Sequence, residues 1–138
     1  MELKVFLLAD HANISNDKLN IIGVFDTITS EQFPFKFPSM HLAIKFVTEQ
    51  EEIDVEHTIK VQFVDQDEEE IANGEGSFTI PGSDTGHRSK ATLNFSVAMR
   101  DIVFEKPSHY EVRLIVDDEL KDTIMLEVVQ LENPPKVD

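Results

Sequence analysis

Tyr110-Glu111-Val112-Arg113-Leu114-Ile115-Val116 places Tyr110, Val112, Leu114 and Val116 on one side of the chain, with Glu111 and Arg113 on the other. Successive side chains of an extended chain point to opposite faces. Such alternation therefore marks a strand with one face on a core and one in water. The same period recurs upstream. Met40, Leu42, Ile44 and Phe46 alternate with His41, Ala43 and Lys45; Ile59, Val61 and Phe63 alternate with Lys60 and Gln62; Leu93, Phe95 and Val97 alternate with Asn94 and Ser96. No window of a dozen residues carries apolar side chains at i, i+3, i+4 and i+7, so long helices are not expected.

The connections agree with strands. Val64 leads into Asp65-Gln66-Asp67 and a glutamate run before Ile71, which reads as a hairpin, and Val116-Asp117-Asp118-Glu119-Leu120 reads as a tighter one. Asn73-Gly74-Glu75-Gly76 reads as a bulge, and Pro81-Gly82-Ser83-Asp84-Thr85-Gly86 as a loop. Strands are expected near 2–9, 19–28, 40–48, 56–65, 70–80, 90–99, 108–117 and 120–131. Seven or eight short strands at this spacing, with no helices between them, predict an all-β, two-sheet antiparallel β-sandwich, immunoglobulin-like or C2-like; an open β-barrel is the alternative. In Phe33-Pro34-Phe35-Lys36-Phe37-Pro38, the alternating phenylalanines and prolines suit an edge segment laid over the core. Tyr110, following Pro107-Ser108-His109, resembles a tyrosine corner, where the hydroxyl bonds an upstream backbone group.

With 138 residues the chain fits one domain over 1–131, followed by a polar, proline-bearing tail over 132–138. Ten phenylalanines against one tyrosine and no tryptophan suit core filling. Cysteine is absent, which removes disulfides, thiolate zinc sites and a cysteine nucleophile. The first apolar run, Val5 to Ala9, is too short for a secretory signal or a membrane span, so a cytoplasmic protein without membrane contact is expected. Acids outnumber bases 27 to 12, a net charge of −15, with the bases scattered singly, which argues against nucleic acid as a partner.

Five features bear on chemistry or binding. Asp10-His11, with Asp17 and Asp26 near in sequence, has the residue types for acid–base work and would centre a hydrolase, although the stretch to Lys18 also reads as a turn. Asp65 with Asp67, and Asp117 with Asp118, occupy two hairpin loops. At one end of a sandwich they would bind calcium or support carbohydrate binding, in loose resemblance to the loops of C2 domains. The run from Asp65 is no EF-hand, because Glu70 stands where the loop needs glycine and Gly76 where it needs a bidentate glutamate. The histidines at 11, 41, 57, 87 and 109 show no metal-ligand spacing; His41 and His109 face outward by parity, and His57 lies near a strand start. His87-Arg88-Ser89-Lys90 is the one locally basic stretch. Finally, two strands are apolar on both faces. Ile22 and Val24 oppose Ile21, Gly23 and Phe25, while Met125, Val129 and Leu131 oppose Leu126 and Val128. A second apolar face implies either a covering loop or an interface with a partner or a second copy.

Ala9-Asp10-His11-Ala12, followed by Lys18-Leu19-Asn20-Ile21-Ile22-Gly23-Val24-Phe25-Asp26, resembles the opening of a family of small uncharacterised bacterial proteins. Tyr110 to Asp117 is similar to that family's last hairpin. The resemblance implies an immunoglobulin-like sandwich of unknown function, with Asp10, His11 and Asp26 as its family-like polar residues and no catalytic signature. The reading that follows is a non-enzymatic binding or assembly module without a required cofactor.

Overall fold

Strict alternation forces the buried faces of neighbouring strands together, and the result is two packed sheets. The computed structural model describes residues 1–82 and 90–132. Among the described residues nine strands run in chain order: β1 (Glu2–Ser15), β2 (Lys18–Val24), β3 (Thr27–Ser30), β4 (Phe35–Thr48), β5 (Glu56–Val64), β6 (Glu70–Thr79), β7 (Ala91–Phe104), β8 (Ser108–Val116) and β9 (Glu119–Gln130). One short 3₁₀ turn, Gln50–Glu52, separates β4 from β5. The first sheet has the order β2-β1-β4-β7 and the second β3-β9-β8-β5-β6. The architecture is an all-β sandwich.

Its core is the set of residues that parity selects. Leu42, Ile44 and Phe46 of β4 meet Val61 and Phe63 of β5, Val112 and Leu114 of β8 and Leu126 of β9, all with essentially no exposure. Burying each such side chain contributes about 1.5–3 kcal/mol, which is why alternation decides the fold. Tyr110 is buried against Phe104, and its hydroxyl donates to the Lys106 carbonyl at 2.8 Å, as the tyrosine-corner reading anticipates. Asp117 and Asp118 both take positive φ, and Val116 pairs with Glu119, giving the two-residue turn expected after β8.

Several expectations are corrected. The run 19–28 is not one strand: Asp26 ends it, and β3 crosses to the second sheet, where it lies parallel to β9 in an otherwise antiparallel structure. β1 continues to Ser15 instead of stopping at Ala9, and β4 begins at Phe35 instead of Met40. Phe35 and Phe37 pair with β7 alone, since β1 reaches β4 only from His41 onward. The stretch is thus an edge on one side, as Pro38 requires. The register slip between β5 and β6 falls where Phe63 faces Ala72 and Val64 faces Glu70, with Ile71 as the extra residue, not at Gly74 and Gly76. Gly74 instead admits a close approach of the two sheets, since a Cβ there would stand 3.4 Å from Met99 Sδ. The basic stretch at 87–89, most of the loop that opens at Pro81, and the tail from 133 lie outside the described residues.

Candidate functional site

The stretch Asp10 to Ser15 is where the chain departs furthest from a flat sheet. β1 pairs with β4 as far as Ala9 opposite His41, and then continues with β2 alone. Along β7, Leu93, Phe95 and Val97 pack on the core, so Asn94 and Ser96 between them face outward. Ser96 Oγ donates to the Ala12 carbonyl at 2.6 Å, and Asn94 Nδ2 donates to the Asp17 carbonyl at 3.2 Å. The β1–β2 hairpin therefore lies across the outer face of its own sheet. Small side chains permit this: Ala9, Ala12 and Ala43 are all buried where the backbone layers meet. Asn16 and Asp17, both at positive φ, close the hairpin with the turn that matches strand twist.

This fold-over leaves one strand edge open. Among the described residues the sandwich has four edge strands, β2, β7, β3 and β6. β6 and β7 pack along one seam, where Phe78 meets Phe95 at 5.0 Å and Gly74 faces Met99. β3 is only four residues long. β2 runs seven residues, carries one charge, Lys18, and has no proline. Ile22 is 65% exposed and Val24 56%. Natural proteins blunt such edges with charges, bulges, prolines or brevity. At β2 the one irregularity is Gly23, whose φ of +72° comes at the strand's end, where a Cβ would collide with the Asp10 carboxylate.

Beneath the hairpin lies a groove of about 1130 Å³. Val5 and Lys45 line it together with Ile14, Lys18, Leu19 and Ile21 of the hairpin and Asn94, which pairs across the ladder with Lys45. Lys90 also lines it but reaches Glu49 at 3.3 Å. Lys18 and Lys45 have no carboxylate within ion-pair distance among the described residues. The Oδ1 of Asn94 is buried with no donor among those residues.

The other residues singled out in the sequence are placed elsewhere. Asp10 and His11 are exposed and, as neighbours on a strand, point to opposite faces; the His11 ring meets His41 edge-on at 4.9 Å. Asp26 accepts a hydrogen bond from Thr27 Oγ1. The two acidic loops are not brought together. Because β8 runs antiparallel to β5, Asp117 sits beside Thr58 and Asp65 lies past Val64, with a ladder of about 20 Å between them at ~3.3 Å per residue. Asp65 Oδ1 accepts the Asp67 and Glu69 N–H groups, so its carboxylate closes its own turn. Met125 and Leu131 are exposed and Val129 half-buried, all on the second sheet's β9 side, apart from Ile22 and Val24 on the first.

His57 is the residue that sequence reasoning missed. It shares parity with Val61 and Phe63, which could have signalled burial, and it is only 5% exposed. Nδ1–H donates to Asp117 Oδ2 and Nε2–H to the Glu52 carbonyl, each at 2.7 Å. Both partners only accept, so the two bonds are made together when the ring carries both protons. Burial opposes that charge, but the Glu52 carbonyl and the Asp117 carboxylate outweigh it and raise the His57 pKa above its ordinary value. Burial likewise pushes Asp117 up, and the bonds from His57 and the Thr58 N–H outweigh it and lower its pKa. With both nitrogens committed, none is free to take a proton from a substrate. This cluster is architecture.

A family model described as a family of unknown function (DUF6941) matches residues 4–129, from the start of β1 almost to the end of β9, and the chain belongs to that family. No curated protein matches it.

Proposed function

We propose that this domain is a non-enzymatic assembly module that docks through the open edge of β2, where a second copy adds its own β2 antiparallel to the first. The observation that supports it is the contrast among the four edges: three are short or packed against each other, and β2 is neither. Charge favours the same surface. Two copies at −15 each repel, but β2 carries one charge in seven residues and offers apolar Ile22 and Val24. Strand addition gives affinity through main-chain hydrogen bonds and specificity through alternate side chains.

Sedimentation equilibrium of the full chain at micromolar concentration tests this. The expected result is a monomer–dimer equilibrium that tightens as salt rises from about 50 to 500 mM, because screening removes the long-range repulsion and leaves the apolar contact intact. Ile22→Asp should give a monomer under all these conditions. A wild-type chain that stays monomeric at high salt, or a dimer that survives the substitution, overturns the reading.

A further inference from the structure

The described histidines are used in different ways. His57 has both nitrogens committed inside the closed end, and the exposed His109 ring has no partner among the described residues. His11 and His41 instead meet each other, with ring centres 4.9 Å apart and planes at 69°. We propose that this pair binds a divalent transition metal of the class that imidazole favours: zinc, nickel or copper(II).

The fold creates the pair, since nothing in the spacing of the two residues along the chain does. β1 and β4 pair as far as Ala9 opposite His41, and His11 follows where β1 leaves β4 to cross the sheet. The distance is the one a shared ion needs. Two imidazoles bound to one ion at about 2.0–2.1 Å have ring centres about 4.5 Å apart at a right angle and about 5.2 Å apart at the tetrahedral angle. The 4.9 Å between His11 and His41 falls between those limits. His11 is exposed, so its ring turns toward a common ion about its own side-chain bonds, and the backbone stays where it is.

Hydrogen bonding leaves the right atoms over. A metal-binding imidazole is neutral and donates its other N–H to a fixed acceptor, which orients the ring. His41 Nδ1 lies 3.3 Å from the Asp10 carbonyl, and a carbonyl only accepts. In the neutral ring the proton therefore sits on Nδ1, and Nε2 keeps its lone pair for an ion. The His11 ring makes no hydrogen bond among the described residues, so either of its nitrogens is available. No third histidine, cysteine or carboxylate joins the pair among those residues, so water completes the coordination. Such a site is open and exchangeable, unlike a closed structural one.

Isothermal titration of the untagged full chain with zinc chloride at neutral pH tests the site. Protein is kept at concentrations where sedimentation finds only monomer, so the result does not depend on whether β2 docks. The expected result is one saturable site with a dissociation constant of about 1–100 μM. His11→Ala and His41→Ala should each weaken zinc at least about tenfold, and His109→Ala should leave it unchanged. Ile22 is the direct cross-strand partner of His11, so Ile22→His sets a third imidazole on the same face and should tighten zinc at least about tenfold. Because His11 is exposed, His11→Ala should leave the metal-free melting temperature unchanged, which separates lost binding from lost fold. If His41→Ala melts early, His11→Ala and Ile22→His carry the comparison. No saturation at millimolar zinc, wild-type affinity in His11→Ala, equal weakening in His109→Ala, or no gain in Ile22→His would each overturn the proposal. So would displacement of zinc by millimolar calcium, which would assign the ion to carboxylates.

Discussion

Around His57 the polar groups close upon one another, whereas under the β1–β2 hairpin they stop short. The imidazole has an acceptor for each nitrogen, Asp117 also takes the Thr58 N–H, and Glu52 binds the Met1 ammonium at 2.7 Å. On the other side, among the described residues, Lys18 and Lys45 have no ion pair, Asn94 Oδ1 has no donor, and Ile22 and Val24 lie exposed. A titratable residue is therefore a poor guide to function by itself. What separates the regions is whether the fold has already used the groups it buries. Satisfied networks rigidify a fold, and groups left over are available to a partner.

The largest effect expected from breaking this comparison is at His57. Replacing it by alanine strands the Glu52 carbonyl and half-exposed Asp117 and opens a gap beside Phe78, whose ring lies 5.3 Å away. The loss should be about 2–3 kcal/mol in urea denaturation, below the full range for a buried pair because water reaches Asp117. A loss under about 0.5 kcal/mol would mean that the closed end does not hold the fold.

A smaller effect follows from pH. His57 has a folded pKa above its ordinary value of about 6.5, so its contribution is fully present below pH ~6.5 and fades as pH rises through the raised value. Asp117 acts in the opposite sense: its folded pKa is lowered, so its contribution is present above pH ~4 and lost as pH falls. Thermal melts should therefore show highest stability between those limits and a decline toward pH 9. His57→Gln should flatten the alkaline decline relative to wild type, which separates this term from the general repulsion of a −15 chain. Equal alkaline slopes in the two proteins would assign the decline to net charge alone.

The sandwich was legible because its long strands have one wet face and one dry face; Met40 to Phe46 and Tyr110 to Val116 reveal both without reference to any neighbour. What parity cannot reveal is adjacency. Asp65 and Asp117 both read as hairpin acids, and only the antiparallel pairing of β5 with β8 sends them to opposite ends. The groove was illegible for a related reason. Asp10 to Ser15 looks like a polar turn because its outward residues are polar, and the alanines at 9, 12 and 43 that let it cross the sheet carry no pattern of their own. Small residues record close approach only after the approaching partner is known.

The smallest effect on stability belongs to the open side, and it sharpens the contrast most. Ile22 packs little of its surface in the monomer, so Ile22→Asp removes few native contacts and buries no charge. Its hairpin is held by the Asn16–Asp17 turn and the bonds from Ser96 and Asn94, none of which involves the Ile22 side chain. Measured at concentrations where both chains are monomeric, the urea midpoints should agree to within about 0.5 kcal/mol. At higher concentration they should separate, because a dimer formed only by the folded wild type draws its equilibrium toward the native state as protein is added. A large loss already at monomer concentrations would make Ile22 part of the architecture, on the same footing as His57, and the distinction between a closed and an open region would disappear.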